Sequence, residues 1–248
     1  MRKFLYIAIA FAAATLVGTG CNNYDSKTYY SSIVTLLDGS YDYAYSAEFD
    51  DGKKVYITNS FKYPFTFGES LNGEGRALIW YMIEDQTQTG FDHTITLASL
   101  EPISTFKLIT INDSDVKDLD KFTAPAHVTE MAYAKNRSYL TVAYNFPANQ
   151  TGGYQHQLQL LYNNNPDHEG AYQEYYPATD DGYLYLELYH NSNGDGGNTN
   201  TPAIASYKVD YGSLHGMPNI DTFKGIKVIQ PVADGRTEIF TYDFPKAK

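Results

Sequence analysis

Few residues in this chain have the types and spacing that chemistry requires. The nearest approach to a nucleophile elbow is Gly212-Ser213-Leu214-His215-Gly216, whose first glycine is misplaced for the Gly-x-Ser-x-Gly turn. No His-Glu-x-x-His zinc pattern occurs, and the six histidines are scattered. The closest His–acid pair, His168-Glu169, lies in a Pro/Asn/Gly loop, where solvated side chains are the rule. No glycine-rich phosphate cradle follows a strand. Two acids brought together from distant strands, as in a glycosidase, would leave no local trace. The stretch from His190 to Asn198 (HNSNGDGGN) offers oxygen ligands and glycines, but calcium loops bring several carboxylates and this one has only Asp195. Asn, Asp and Gly accumulate equally in ordinary turns, because they tolerate left-handed backbone angles. The expectation is therefore no catalytic constellation, no metal site and no cofactor, with the ligand-binding residues unknown.

One row could recognise a ligand without catalysis. After the turn Asp180-Asp181-Gly182, the strand from Tyr183 to His190 divides by its period of two. Leu184, Leu186 and Leu188 point to one side and belong in a core. Tyr183, Tyr185, Glu187 and Tyr189 point to the other. That row could be a stacking platform for a sugar ring, with Glu187 accepting hydroxyl bonds. The structural alternative, a cross-strand tyrosine ladder or a domain interface, is the stronger of the two.

The elements that must position these residues read as all-β. The chain has 24 Tyr, 13 Phe, 19 Gly and 10 Pro in 248 residues, and tyrosine suits a pleated, half-buried surface. Five strands are expected by about residue 111. Ile33 to Leu37 ends at Asp38-Gly39. An alternating run follows, with Tyr41, Tyr43, Tyr45, Ala47 and Phe49 on one face and Asp42, Ala44, Ser46 and Glu48 on the other. Asp51-Gly52 turns the chain into Lys54 to Thr58. A long aromatic loop from Phe61 to Gly75 precedes Ala77 to Glu84, and His93 to Ala98 comes after a turn near Gly90. Five is the strand count of an OB-type barrel. Residues 112–124 open with the acid-rich NDSDVKDLDK and read as a linker. Seven more strands suit a small sandwich: His127 to Ala134, Ser138 to Phe146, Gln155 to Asn163, Tyr183 to His190, Ala203 to Asp210, Gly225 to Val232 and Thr237 to Phe244. The division expected is 33–111 for the barrel and 125–248 for the sandwich.

Arg2 and Lys3 open the chain, an apolar run extends from Phe4 to Val17, and Gly18-Thr19-Gly20 precede Cys21, the single cysteine. A basic head, a short apolar middle and small residues before a cut are what export and cleavage require. The run is shorter than the roughly 20 residues that span a bilayer. The pattern resembles the lipobox of bacterial lipoproteins, in which such a cysteine takes a diacylglyceryl group; an ordinary signal peptide with an incidental Cys21 is the alternative. The resemblance implies a signal peptide over 1–20, lipidation at Cys21, a tether over 21–32 and a place in the cell envelope, at the outer membrane. The formal charge is -11, and loss of Arg2 and Lys3 with the signal would leave -13. So acidic a chain repels phosphate backbones, and no nucleic-acid partner is expected. One cysteine allows no internal disulfide, so the core alone must hold the fold.

The order of elements also resembles the NigD-like lipoproteins. The residues that carry the resemblance are Asp181-Gly182-Tyr183-Leu184-Tyr185-Leu186-Glu187, His190-Asn191 and Gly194-Asp195, supported by Tyr29-Tyr30 to Leu37, Asp51-Gly52-Lys53 and Asp92-His93. The family usually carries Arg before the His-Asn pair, where this chain has Tyr189. The resemblance implies an N-terminal OB-type domain, a C-terminal β-sandwich and an immunity-type role without catalysis. The function expected is a lipid-anchored binding or interaction module, with the membrane as one partner and an envelope protein or glycan as the other. The alternatives are a hydrolase acting on envelope glycans or peptides, and a structural subunit of a surface assembly.

Overall fold

The computed structural model describes residues 28–37, 44–65, 74–110, 119–149, 155–163, 172–177, 180–209, 218–232 and 234–245. Cys21 and the signal segment lie outside the described residues, as do 41–43, 112–118, His168-Glu169 and 212–216. The chain divides into two units, one reaching Thr105 and including Tyr133–Tyr139, the other formed by Phe106–Ala132 and Leu140–Lys248.

The first unit is a closed five-stranded barrel. Its strands are β1 (Tyr30–Leu37), β2 (Ser46–Phe49), β3 (Lys54–Ile57), β4 (Gly75–Ile83) and β5 (His93–Lys107), whose last two residues belong to the second unit. β1 pairs antiparallel with both β2 and β4, β2 pairs with β3, and β4 pairs with β5. A parallel pairing, Val55 with His93 through Ile57 with Ile95, closes the ring. The order β1-β2-β3-β5-β4 is that of an OB-type barrel. Closure removes the open sheet edges that would otherwise invite foreign strands. Alternate residues fill the interior: Val34, Leu36, Ala47, Val55, Ile57, Ala77, Ile79 and Ile95 are buried. The Asp51-Gly52 turn forms as the sequence predicts, with Gly52 at φ +90° and its N–H bonded to the carbonyl of Phe49.

The alternation expected through residues 41–49 is broken. Tyr45 is exposed while Ala44 and Ala47 are both buried, three positions apart, because the chain bends at Tyr45 before β2 begins. Glu48 is buried as well. Its carboxylate accepts bonds from Arg137 Nε at 2.9 Å and from the side-chain amide of Asn136. Arg137 also reaches Glu74 at 3.0 Å, and Glu74 accepts from the hydroxyl of Tyr139 at 3.1 Å. Beside this network the fully buried Arg76 grips Asp50 through two bonds of 2.6 and 2.9 Å, bonds Thr35 at 3.0 Å and lies over the Tyr139 ring. These charge-assisted contacts fasten the 133–139 segment to the barrel wall.

The second unit is built from β6 (Ile109–Thr110), β7 (His127–Ala134), β8 (Tyr139–Ala148), β9 (Gln157–Tyr162), β10 (Tyr183–Asn191), β11 (Thr199–Lys208), β12 (Gly225–Pro231) and β13 (Thr237–Asp243). All seven strands expected after residue 124 are present, and the two-residue β6 is additional. They form two layers, β11-β8-β7 and β13-β12-β10-β9-β6. β10 lies in the middle of the larger sheet, antiparallel to β9 and parallel to β12. Among the described residues no helix is long and apolar enough to cross a membrane.

Candidate functional site

β10 positions both residue groups that could do chemistry. Asp180 and Asp181 accept bonds from the backbone N–H of Gly182 and Tyr183, which shapes the turn into the strand. Gly182 has φ +79°, where an L side chain is strained. Leu184, Leu186 and Leu188 are then buried on one face, as their spacing predicts.

The opposite face is covered too. Tyr185, Glu187 and Tyr189 are almost fully buried, and Tyr172, Phe122, Leu161 and Ile229 pack with the two tyrosines. Tyr172 meets Tyr189 edge-on at 5.6 Å, and Tyr176 lies 5.4 Å from Tyr185. Leu119 and Phe122, at the end of the stretch read as a linker, also pack on this cluster. The row is therefore a second small core, and no sugar can stack on it. Its structural reading holds and its platform reading fails. The reason is tertiary: the segments at 119–122 and 172–176 fold back over the tyrosines.

Among the described residues, no cation bonds Glu187 inside this aromatic layer. Its carboxylate accepts from Tyr176 Oη at 2.7 Å, from Asn163 Nδ2 at 2.9 Å and from the hydroxyl of Tyr189. Burial first, and then the charge of Glu187, push the Tyr172 hydroxyl up to about 12 and the hydroxyls of Tyr176 and Tyr189 still higher. The phenols of Tyr176 and Tyr189 stay neutral and keep donating, as the carboxylate requires. Only Tyr183, at the open end of the row, remains half-buried. The Lys227 ammonium lies 4.6 Å from its ring centroid, and its hydroxyl bonds Asp243 at 2.7 Å.

A second cluster forms at the other end of β10, on the leucine side. His190 is fully buried, and its Nδ1 lies 2.8 Å from the carbonyl oxygen of Pro125. Its Nε2 lies 2.9 Å from Nδ1 of His156, and Nε2 of His156 lies 3.0 Å from Oδ2 of Asp195. Phe146, from β8, stacks on His156 at 4.7 Å and tilts against His190 at 4.9 Å. Asp195 also accepts from the N–H of Asn149 at 2.8 Å and of Gly197 at 2.7 Å. The Asn149 bond foremost, with those from His156 and Gly197, holds the Asp195 carboxyl below the usual carboxylate value. Burial lowers His190 below the ordinary imidazole value. The loop carrying Asp195 turns through Asn193 (φ 49°) and Gly194 (φ 82°). Its single carboxylate is engaged by its own chain, and the groups are strung in a line instead of converging on one point, as a metal centre would need.

The sequence singled out His190 and Asp195 but not His156. The β9–β10 register, Gln157 opposite Asn191 and Leu158 opposite His190, sets His156 diagonally across from His190. That register was the only signal that could have found it.

Residues 108–228 match the model of the NigD-like C-terminal β-sandwich domain. Over that segment the chain is similar to the NigD-like C-terminal domain. Solved structures of similar fold span nearly its whole length. A protein of unknown function from Bacteroides vulgatus is 23% identical, with a TM-score of 0.63 over 88% of this chain and 92% of that one. A NigD-like immunity protein from Bacteroides caccae is 19% identical, with a TM-score of 0.55 over 90% and 99%. A candidate lipoprotein from Bacteroides fragilis is 12% identical, with a TM-score of 0.57 over 89% and 100%. No curated protein matches the chain by sequence. At these identities the likeness concerns the fold, and in the NigD-like frame Glu187 and the His190–Asp195 pair stand on the central strand and the loop that follows it.

Proposed function

We propose that this protein is a lipid-anchored module of the cell envelope that binds an envelope protein or glycan and carries out no catalysis. The observation that carries the reading is that the two carboxylates placed on and just after β10, Glu187 and Asp195, are engaged by their own chain. Glu187 accepts from three side chains, and Asp195 from two backbone N–H groups and His156. A general acid or base must instead face its substrate. The cleft of about 320 Å³ bordered by His127, Val232, Asp234, Arg236 and Glu238 supports the same reading, since Arg236 holds both of its carboxylates. The anchor rests on Cys21 at the end of the signal-like segment and on the lipoprotein description of the Bacteroides fragilis relative. The immunity description of the Bacteroides caccae relative favours a protein toxin as ligand.

Two buried acyl chains would hold the protein on a membrane almost permanently, at about 0.8 kcal/mol per methylene. Metabolic labelling with an alkyne palmitate analogue tests the anchor: wild type should label and sediment with membranes, and Cys21→Ser should do neither. Equal labelling of both would overturn it. For the binding role, the purified chain should retain a discrete envelope protein or glycan unchanged. Release of a cleaved glycan or peptide would overturn the non-catalytic reading.

A further inference from the structure

The chain enters the barrel at an end that carries exposed aromatic and aliphatic groups. Tyr29 is 52% exposed, Tyr30 38% and Ile83 45%. Strand register places them together. Tyr30 stands opposite Tyr81 on β4, and Ile83 lies one side-chain period beyond Tyr81, at the end of that strand. The Tyr30 ring lies 5.8 Å from that of Tyr81, which in turn lies 5.5 Å from that of Phe49. Tyr81 is buried in the barrel core, so the exposed groups rest on a packed base. The Asp51-Gly52 turn and the start of β5 share this end, because Val34 pairs with Phe49 and Val55 with His93. β5 then runs to the other end, where the chain leaves the unit at Thr105. The charges around the entry end do not suit an anionic partner. Asp51, Glu84, Asp85 and Asp92 outnumber Lys53 and Lys54 there. Lys53 is tied to Asp51 at 2.7 Å, and Asp92 accepts from the N–H of Lys54 at 2.8 Å.

We propose that this end of the barrel seats in the headgroup layer of the membrane that holds Cys21, with Tyr29, Tyr30 and Ile83 as the contact groups. The proposal rests on the lipid anchor argued above and adds an orientation to it. Seven residues, Asn22 to Thr28, separate Cys21 from Tyr29. Even fully extended, such a linker spans about 28 Å, and a flexible one averages about 16 Å. The entry end is therefore the part of the barrel that the anchor brings to the bilayer. Tyrosine suits the headgroup layer, where its ring meets apolar chains and its hydroxyl meets water. The patch needs little affinity of its own, because a short linker supplies an effective concentration on the order of millimolar. The excess of acids means that the contact does not draw on anionic lipid, which basic clusters recognise. Seated this way, the barrel turns the end at which the chain leaves it away from the bilayer.

Trp80, the single tryptophan, is a native reporter for the test, since it stands opposite Ser31 on the wall beside this rim. The chain is purified from membranes and reconstituted in phosphatidylcholine vesicles that carry a spin label on the choline headgroup. Cosedimentation reads the anchor, and quenching of Trp80 fluorescence reads the seating. Wild type should cosediment and be quenched. A Tyr29→Ser/Tyr30→Ser/Ile83→Ser chain should cosediment equally and lose most of the quenching, with its circular dichroism unchanged. If that variant misfolds, Tyr29→Ser alone, at the most exposed of the three positions, must show the loss in smaller measure. Failure of wild type to cosediment would sink the anchor and the seating together. Cosedimentation with Trp80 unquenched, equal quenching of wild type and variant, or quenching that requires added anionic lipid would overturn the seating and leave the anchor standing. So would a Cys21→Ser chain that dimerises in membrane-free buffer and loses the dimer on the same three substitutions, because the patch would then belong to a second copy.

Discussion

Each unit buries one carboxylate deeply, and they do it by opposite means. Glu48 in the barrel is held by the Arg137 guanidinium, which can only donate, and by the Asn136 amide. Glu187 in the sandwich is held by two tyrosine hydroxyls and an amide, with no cation bonding it among the described residues. Burying an ionised carboxylate is costly unless the lost water is replaced by well-placed donors. A guanidinium supplies charge and a fixed fork geometry, but it cannot become an acceptor. A tyrosine hydroxyl supplies less, yet it can rotate to donate or accept. The barrel network is therefore strong and intolerant, while the tyrosine layer is weaker per bond and adaptable. Tyr189, directly before the His190-Asn191 pair, is one of the donors to Glu187.

The largest effect should come from removing a barrel cation. Arg76→Ala deletes a fully buried guanidinium with its two bonds to Asp50, its bond to Thr35 and its contact with the Tyr139 ring. Breaking a buried pair from one side costs about 3–5 kcal/mol, and urea unfolding of the variant should register a loss of that size.

The isosteric amide swaps divide the two regions directly. Glu48→Gln removes the charge that faces the Arg137 guanidinium, and about 1.5–3 kcal/mol should be lost. Glu187→Gln faces hydroxyls that can turn round, so the loss should be nearer 1 kcal/mol. Equal losses in parallel denaturation curves would erase the distinction drawn here.

The smallest effect sharpens the comparison at high pH. Burial pushes Tyr172 and Tyr207 up to about 12, above the ordinary tyrosine value of 10.0. Folding thus favours their neutral forms. The stability linked to them is intact below pH 10 and is lost as pH rises toward 12. Phenolate absorbance should show these rings ionising together with unfolding. Their ionisation in a chain whose circular dichroism is still native would contradict the closed tyrosine layer.

Much of the fold was legible because it is local. Asp51-Gly52 and Asp181-Gly182 mark turns that only positive φ can make, and both form where they were read. The seven later strands follow from period-two burial, and the leucine face of β10 is buried as its spacing requires. Misreadings arose where a side chain's surroundings come from far along the chain. The burial of Glu48 has no local signal, because its cation, Arg137, is 89 positions away; the tyrosine row of β10 likewise is covered by segments distant in sequence.

The chain order alone settled roughly where most strands lie and which residues of β10 share a face, because backbone sterics and side-chain period act over a few residues. It could not settle whether a face is wet. The leucine row of β10 is buried by its own chemistry, but the tyrosine row is amphipathic and would serve equally well against solvent, ligand or protein. That choice fell to the tertiary structure, where segments 119–122 and 172–176 cover the row and His156 comes within reach of His190 and Asp195.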